Sequence, residues 1–547
     1  MIWPLGTSIG WSQNSVGLLS LNEVLSEDGY NLIYPHNQST AYLINQCGEV
    51  VHTWTDSDEF RPGNTCYISE NGNLIKTKRR FDATVNDPIW AGGGGATVDV
   101  RTWSNDLLAQ FTLNDSMARL HHDITETDDG NILMVAWEFK SFDEAVEAGR
   151  NPDLLANEVL WPEMVLEWDP FIDSIVWRWY AWDHLVQEFD STKNNYGIVA
   201  DHPELIDINY DEHDGHQDWL HINAIDYNPV LDQIMLSVPY FNEIWIIDHS
   251  TSTDEASDHS GGNSGRGGDL LYRWGNPQTY NAGFQEDQRL FFQHSSQWVD
   301  PWAEPNDPRF SLIQVFNNRV GPDMSDGNVW RADFDQDTHS YKMDDSNRYL
   351  PNQFMQTFFH PERPIIAAST GLSSAQLLQN GNMLMCAGRW GYAYELTPDN
   401  EVVWEYRTPI KMGQPATQGD SLAVNNNLTF RMDRYPVDFV AFEGRDLSPK
   451  GYIEENANAE FCDMLVDTEE LFLEERIQIY PNPATEMIRI VSDQLKKARY
   501  NIYDLAGKKV KFGMLDNGAT DIDVSSLRPG VYLLQTANLG IRKLVIQ

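Results

Sequence analysis

Between residues 40 and 410 the hydrophobic positions recur as a two-part phrase. One part is a tight polar turn running into an apolar strand: Asn71-Gly72-Asn73 leads to Leu74-Ile75, Asp129-Gly130-Asn131 to Ile132-Leu133-Met134, and Asn380-Gly381-Asn382 to Met383-Leu384-Met385. Asn-Gly and Asp-Gly between apolar runs predict β-hairpins with type I′ turns, whose central residues both take positive φ. A looser copy runs from Tyr227-Asn228-Pro229 to Gln233-Ile234-Met235-Leu236. The other part is a strand ending on Trp or Tyr: Val50-Val51-His52-Thr53-Trp54, Ile175-Val176-Trp177-Arg178-Trp179, Leu270-Leu271-Tyr272-Arg273-Trp274 and Val402-Val403-Trp404-Glu405-Tyr406. Alternation with period two in β-branched and aromatic residues marks half-buried strands. Hairpins repeated over so long a chain predict an all-β fold, a β-propeller, because radial repetition leaves only short protected edges. Five clear copies of one part or the other and one or two blurred ones give six blades, with seven as the other count and a pair of β-sandwiches as the competing architecture.

Segments that interrupt the repeat define the rest of the organisation. Residues 139–163 carry a short helical pattern, 182–218 form an acidic loop with His184, His202, His213 and His216, and 251–268 are a Ser-, Gly- and Asp-rich excursion. The predicted division is an N-terminal segment at 1–27, the propeller at 28–455, an acidic linker at 456–474 and a separate small β-sandwich at 475–547.

Charge narrows the partners. With 38 Lys and Arg against 82 Asp and Glu the formal charge is −44, which repels phosphate backbones and excludes nucleic acid as a partner. No apolar run approaches the ~18 residues of a membrane-spanning helix. The first basic residue is Arg61, so the start lacks the basic and apolar regions of a signal peptide, and the chain is either cytoplasmic or missing its true start. Cys47, Cys66, Cys386 and Cys462 form no CxxC pair; one bridge, Cys47 to Cys66, is the pairing considered. No phosphate-binding loop and no Gly-x-Ser-x-Gly elbow occur, which argues against a nucleotide donor and a serine hydrolase. Gly92-Gly93-Gly94-Gly95 reads as a tight turn, and Asp333-Phe334-Asp335-Gln336-Asp337 as a solvated acidic loop, since Thr338 replaces the glycine of a calcium loop.

Histidines gather at matching places in the repeat. His121-His122-Asp123 precedes one hairpin, Leu220-His221-Ile222-Asn223 the next, and Gln293-His294 a later one. Strand starts in a propeller lie near one end of its channel, so these side chains are expected to converge there.

The phrases Leu120-His121-His122-Asp123-Ile124, Trp219-Leu220-His221-Ile222-Asn223, Ile244-Trp245-Ile246-Ile247-Asp248, Phe292-Gln293-His294, Phe316-Asn317-Asn318-Arg319 and Ser374-Ala375-Gln376 resemble, in number and order, the bacterial arylsulfotransferase family over roughly residues 28–410. The resemblance implies a six-bladed propeller that transfers a sulfuryl group from a phenolic sulfate ester to a phenol acceptor through a sulfated histidine, without a nucleotide donor and with no cofactor. It carries His221, His294 and Arg319 over as active-site residues. The family's third histidine, the one that is sulfated, should follow Arg319; His360 and His339 are the loose matches, and Gly371-Leu372-Ser373 has none. If His360 lies outside the channel, the nucleophile is His122, His221 or His294, or the chemistry differs. His121, Asn223, Asn318, Arg389 and Trp390 complete the expected substrate-binding set, the last two as a cation and stacking wall. Two alternatives stay open: a divalent metal held in the channel by His121, His122, His221 and His294 with Glu138 or Asp226, as in propeller polysaccharide lyases, or a cell-surface binding propeller without catalysis.

At the C-terminus, Tyr480-Pro481-Asn482-Pro483, Tyr500-Asn501-Ile502-Tyr503-Asp504 and Pro529-Gly530-Val531-Tyr532-Leu533-Leu534 resemble the type A C-terminal sorting domain of the type IX secretion system. This implies a Bacteroidetes-type bacterium, export through the outer membrane by that machinery, a released or surface-attached product, and a signal peptide missing from the given start. The sequence assigns no oligomeric state.

Overall fold

The computed structural model describes residues 14–465, 478–491, 498–504, 508–516, 518–536 and 540–547. Residues 1–13 of the N-terminal segment and 466–474 of the expected linker lie outside them. Two compact units are formed, one of Met1–Leu19 with Ser26–Ala457, the other of Ser20–Leu25 with Asn458–Gln547.

The first unit is mostly β. Among the described residues it holds six antiparallel sheets of four strands or more. The strands, innermost first, are Thr429–Pro436, Gly29–Pro35, Thr40–Ile44 and Val50–Thr55 in the first sheet, and Phe60–Ile68, Leu74–Arg80, Thr97–Arg101 and Leu107–Thr112 in the second. The third is Ala118–Glu126, Ile132–Glu138, Glu163–Asp169 and Ser174–Tyr180; the fourth is Ala224–Asn228, Gln233–Val238, Glu243–Asp248 and Tyr272–Trp274. The fifth is His294–Trp298, Leu312–Gly321, Met324–Arg331 and Gln356–Phe358. The sixth is Ser373–Leu377, Met383–Ala387, Tyr392–Leu396 and Val402–Arg407, with Gly17–Leu21 added on its outer edge. Each innermost strand packs on the innermost strand of the next sheet, and that of the sixth packs on that of the first, so the contacts close into a ring. Closure is made by the chain's late strand Thr429–Pro436, which pairs with the early strand Gly29–Pro35 from Gly29 opposite Pro436 to Pro35 opposite Thr429.

The hairpins form where Asn-Gly and Asp-Gly occur, but with a different turn from the one expected. Gly72, Gly130 and Gly381 take φ of 83°, 82° and 89° while the residue before each stays at negative φ. In each, the glycine N–H donates three residues back, to Ser69, Thr127 and Leu378 at 2.8, 3.0 and 3.0 Å, and a wider pair closes on Asn73, Asn131 and Asn382. This is a type I turn followed by a left-handed glycine, the three-residue hairpin, rather than type I′. The glycine is required because only that one position is left-handed.

The repeated Trp strand joins sheet to sheet. On the outermost strands, Trp54 Nε1–H donates to Thr102 O at 3.3 Å, Trp179 to Gly268 O at 2.7 Å, Trp274 to Pro351 O at 2.6 Å and Trp404 to Gln46 O at 2.9 Å. Each acceptor belongs to the following sheet or its loops, and each indole is almost wholly buried. One residue type thereby fills the gap between sheets and satisfies a carbonyl that burial would otherwise leave unpaired. A second tie is ionic. His249 lies between Asp232 Oδ1 at 2.7 Å and Glu167 Oε2 at 3.2 Å, linking the fourth sheet to the third. Burial opposes its charge, but the hydrogen bonds to the two carboxylates overcome it and lift its pKa to about 9.

The insertions are folded. Phe142–Glu147 is a helix with a Ser141–Glu144 capping box, as its sequence pattern predicts. The 251–268 excursion holds a capped helical turn, Thr253–Ala256, with Ala256 in the hydrophobic core. Around the acidic loop of 333–337, Asp335 Oδ1 accepts from the N–H groups of Asp337 and Thr338. Cys66 and Cys386 are free and buried, so the bridge from Cys47 to Cys66 does not form; Cys47 and Cys462 are the disulfide-bonded residues.

In the second unit a three-stranded sheet of Gln478–Tyr480, Met487–Val491 and Ala519–Asp523 and a four-stranded sheet of Lys509–Leu515, Ala498–Asp504, Gly530–Thr536 and Gly540–Ile546 share one core. Ile488, Ile490 and Ile522 of the first meet Ile502, Leu515, Leu534 and Leu544 of the second there. Among the described residues no helix is long and apolar enough to cross a membrane.

Two outcomes follow. Trp404→Phe keeps most of the apolar contact but leaves Gln46 O without its donor, and should lower stability by about 1–2 kcal/mol in chemical denaturation. The His249 ion pairs stabilise the fold fully below the ordinary histidine value of 6.5, and this contribution is lost as pH rises through about 9. His249→Asn should therefore be less stable than the parent by about 2 kcal/mol at pH ~6, with the gap closing by pH ~10.

Candidate active site

At one end of the ring the starts of the innermost strands, and the ends of the strands beside them, bring the sequence-selected histidines together. His121 and His122 lie on Ala118–Glu126, His221 just before Ala224–Asn228, and His294 opens His294–Trp298. His122 and His221 have φ of 51° and 56°, and so, at the start of the sixth sheet, does Leu372 at 58°. A left-handed non-glycine residue costs ~1–3 kcal/mol and persists only where the surroundings hold it. In the third sheet the pairing slips between Met134 and Ala136, and in the fifth between His294 and Gln297. Bulges of this kind turn a side chain away from its regular face.

The four imidazoles are held differently. His121 stacks on Trp137 at 3.8 Å and 13°, and its Nδ1 lies 2.8 Å from Nδ1 of His122, so one ring donates to the other. His122 meets the edge of His221 with ring centroids 4.5 Å apart. Burial pushes the basicity of both His121 and His122 well below the usual histidine range, and the neighbouring His221 adds to the shift. Gly93 makes this packing feasible. Its carbonyl accepts from His122 N–H at 2.9 Å, and a Cβ on it would lie 2.0 Å from the His122 ring. The glycine run therefore serves close approach to the histidine pair.

His294 is pushed down to about 3 by burial, with its hydrogen bond to Asn318 working the other way. Asn318 Nδ2 donates to Ser369 O and Ser373 Oγ, both at 2.8 Å, which fixes its amide so that Oδ1 accepts from His294 Nδ1–H at 2.9 Å. His294 Nε2 is then the bare nitrogen, and it accepts from Leu372 N–H at 3.3 Å.

His221 is set apart by a carboxylate. Its Nδ1 lies 2.5 Å from Asp218 Oδ2, while Asp218 Oδ1 accepts from Trp137 Nε1–H at 2.9 Å. Asp218 is acceptor-only, so Nδ1 carries the hydrogen and Nε2 the lone pair. His221 stacks on Tyr240 at 4.8 Å, and its side chain keeps 12% exposure where Asp218 keeps 1%. Glu163 accepts from Ile222 N–H at 3.2 Å; burial, with Asp218 second, holds its carboxyl well above the usual range.

The cations stand near His294 and Tyr240. Arg319, exposed, lies over Phe292 at 3.6 Å and donates to Thr370 O at 3.1 and 3.3 Å. Burial and then Arg389 lower its basicity, while Tyr240 raises it, which places all three in one electrostatic neighbourhood. Arg389 donates to Asn425 Oδ1 at 3.2 Å, and its buried Nε has no partner. A Cβ on Gly371 would sit 3.7 Å from His294 Cε1 and 3.9 Å from Arg389 Nε, so the guanidinium and the imidazole flank one glycine. Phe430 lies between His122 and His294, 6.2 and 6.3 Å from their rings.

Other expected residues fall elsewhere. His360 is buried between Tyr394 and Tyr392, with Tyr392 OH 3.4 Å from its Nε2, and touches none of the four histidines. Asn223 ties the strand starts together through Gln293 O at 2.8 Å. Trp390 packs on the core between the fifth and sixth sheets. Glu138 is paired with Lys140 at 2.6 Å, and Asp226 accepts from Trp298 N–H at 2.8 Å. The sequence reading missed Asp218, Glu163, Tyr240, Phe292 and Phe430. Asp218 carried a signal, an acid three residues before a selected histidine, and Phe292 stands two residues before another; Glu163, Tyr240 and Phe430 are joined to the site only by the fold.

No curated protein matches the chain. Among solved structures it is similar to a protein of unknown function from Bacteroides caccae, at 10% identity over 70% of this chain and 93% of that one with a TM-score of 0.36. It is also similar to a streptogramin B lyase, at 11% over 78% and 95% with 0.31, and to a periplasmic gluconolactonase from Pseudomonas aeruginosa, at 9% over 95% and 100% with 0.34. Likenesses of this size carry no activity across. The family comparison is of another order: residues 36–418 match the model of the arylsulfotransferases, and residues 478–547 that of the secretion system C-terminal sorting domain. The chain belongs to the arylsulfotransferase family and ends in a secretion-system sorting domain.

Proposed function

We propose that the protein is an exported arylsulfotransferase that moves a sulfuryl group from a phenolic sulfate ester to a phenol through a sulfated His221. Its six sheets are read as the blades of a β-propeller, which the closed ring of innermost strands supports, and its second unit as the β-sandwich that engages the type IX secretion machinery. The observation that carries the reading is the Asp218–His221 pair, whose ring stacks on Tyr240, a residue within electrostatic reach of Arg319, which in turn has Arg389 nearby.

In the first half-reaction the His221 Nε2 lone pair forms an S–N bond as the S–O bond to the aryl group breaks. The phenoxide leaves with that electron pair and takes a proton from solvent. Asp218 stabilises the positive ring formed on the way, and Arg319 and Arg389 face the sulfuryl oxygens. In the second half the acceptor oxygen attacks sulfur, its proton goes to solvent, and the S–N bond electrons return to Nε2. Tyr240 and Phe292 offer the ring faces on which a phenol stacks. His121, His122 and His294 act as neutral neighbours, their basicity suppressed by burial. Two neighbouring cations, the exposed Arg319 and the half-buried Arg389, matter in a chain of charge −44, whose overall field repels an anionic ester.

With p-nitrophenyl sulfate and excess phenol, the full chain should release nitrophenol in a phenol-dependent, chelator-insensitive way and gain the mass of one sulfuryl group when the acceptor is left out. His221→Ala should abolish the mass gain and lower turnover by on the order of a thousandfold. Asp218→Asn should keep the label site while slowing turnover, and Arg319→Ala should cost about a hundredfold. A label that peptide mapping finds on His122 or His294 would move the nucleophile there; no label and no turnover would remove the sulfotransferase reading.

A further inference from the structure

Away from the histidine cluster, the insertions 182–218 and 251–268 meet around a second pair of imidazoles. His184 is fully buried after the turn Ala181–Asp183 and lies parallel to Trp179, with ring centroids 5.7 Å apart at 6°. Its Nε2 is 2.9 Å from Ala256 O, a group that only accepts, so Nε2 carries the hydrogen. In the neutral ring Nδ1 is then a bare lone pair, yet it faces Asp269 Oδ1 at 2.8 Å. His259 Nδ1 faces the same oxygen at 2.7 Å. Lone pairs at such distances repel unless a positive centre lies among them, either added protons or a metal ion. The three ligand atoms all lie within 4.8 Å of one another, and among the described residues this is the group of His, Cys, Asp or Glu that meets that spacing.

We propose that His184, His259 and Asp269 bind a divalent ion of the zinc class. Two imidazole nitrogens and one carboxylate oxygen suit a borderline ion. The bond from His184 Nε2–H to a backbone carbonyl is the support a metal-bound histidine ordinarily has on its other nitrogen. Asp183 lies beside the site, within electrostatic reach of His184 and His259. The role is structural. Gly268 is pressed against the site, since a Cβ on it would lie 2.1 Å from Ala256 O and 2.6 Å from His184 Nε2, and its carbonyl accepts from Trp179. An ion here fastens the middle and the end of the excursion, at His259 and Asp269, to the insertion that carries His184.

The test uses the full chain stripped with a chelator and titrated with Zn²⁺ by calorimetry at about pH 7.5, where free imidazoles are mostly unprotonated. One ion should bind per chain. His259→Ala, at an exposed position, should fold normally and weaken binding at least about tenfold, and Asp269→Asn should do the same. Trypsin cleavage after the exposed Arg266 should slow on adding Zn²⁺ to the parent chain and not to His259→Ala. His221→Ala should bind as the parent does, which separates this site from the proposed transfer site. Absence of binding, unchanged affinity in His259→Ala, or loss of binding in His221→Ala would each overturn the assignment.

Discussion

Everything in the larger unit depends on one pairing: the strand Thr429–Pro436 laid against Gly29–Pro35, more than 390 residues earlier in the chain. Without it the first sheet has no innermost strand and the ring is open. The closing strand also carries Arg431, whose guanidinium donates to Asp123 at 2.8 Å on the strand that bears the histidine pair. Tyr67 OH donates to the same carboxylate at 2.7 Å, and Ile225 N–H reaches its other oxygen. Four innermost strands are thereby joined at one buried anion. A buried ion pair contributes little net stability but strongly penalises any arrangement that separates it, so it selects the register in which the histidines converge.

The repeat was legible in the sequence because hairpin turns and half-buried strands are local: glycine position and period-two alternation need no knowledge of neighbours. The turn type was misjudged for a related reason. Asn-Gly fits both a type I′ turn and a type I turn with a trailing left-handed glycine, and the choice is made by how the flanking strands twist. The convergence of histidines was legible in their matching places in the repeat, as at His122, His221 and His294, whereas Arg319 came into view only through the family resemblance. The site was opaque where chemistry comes from fold-imposed proximity, as with Tyr240 and Phe430, or where burial raises a carboxyl's basicity, as with Glu163. His360 shows the converse, a residue plausible by order in the chain that topology delivers to the tyrosines Tyr392 and Tyr394 instead.

The charge pattern resolves into two scales. The net −44 is a surface property that keeps molecules apart. Inside, cations are spent sparingly and mostly on single carboxylates, as Arg273 on Glu243 at 2.7 Å and Arg119 on Asp87 at 2.9 Å. Arg319 and Arg389 break that habit, since neither has a carboxylate partner among the described residues. Two arginines sharing a neighbourhood without a carboxylate partner are the feature on which the proposed binding of a sulfuryl group rests.

The contact between Gly93 and His122 has a bearing on how the family can diverge. Because a single methyl group at position 93 would occupy the space of the imidazole, the two positions are not free to vary independently. Any side chain at 93 is admissible only after the ring at 122 has been replaced by something smaller, and a ring can return only once the glycine has been restored. The backbone adds a second constraint, because at a φ of 63° a side chain at position 93 is strained even with the ring removed.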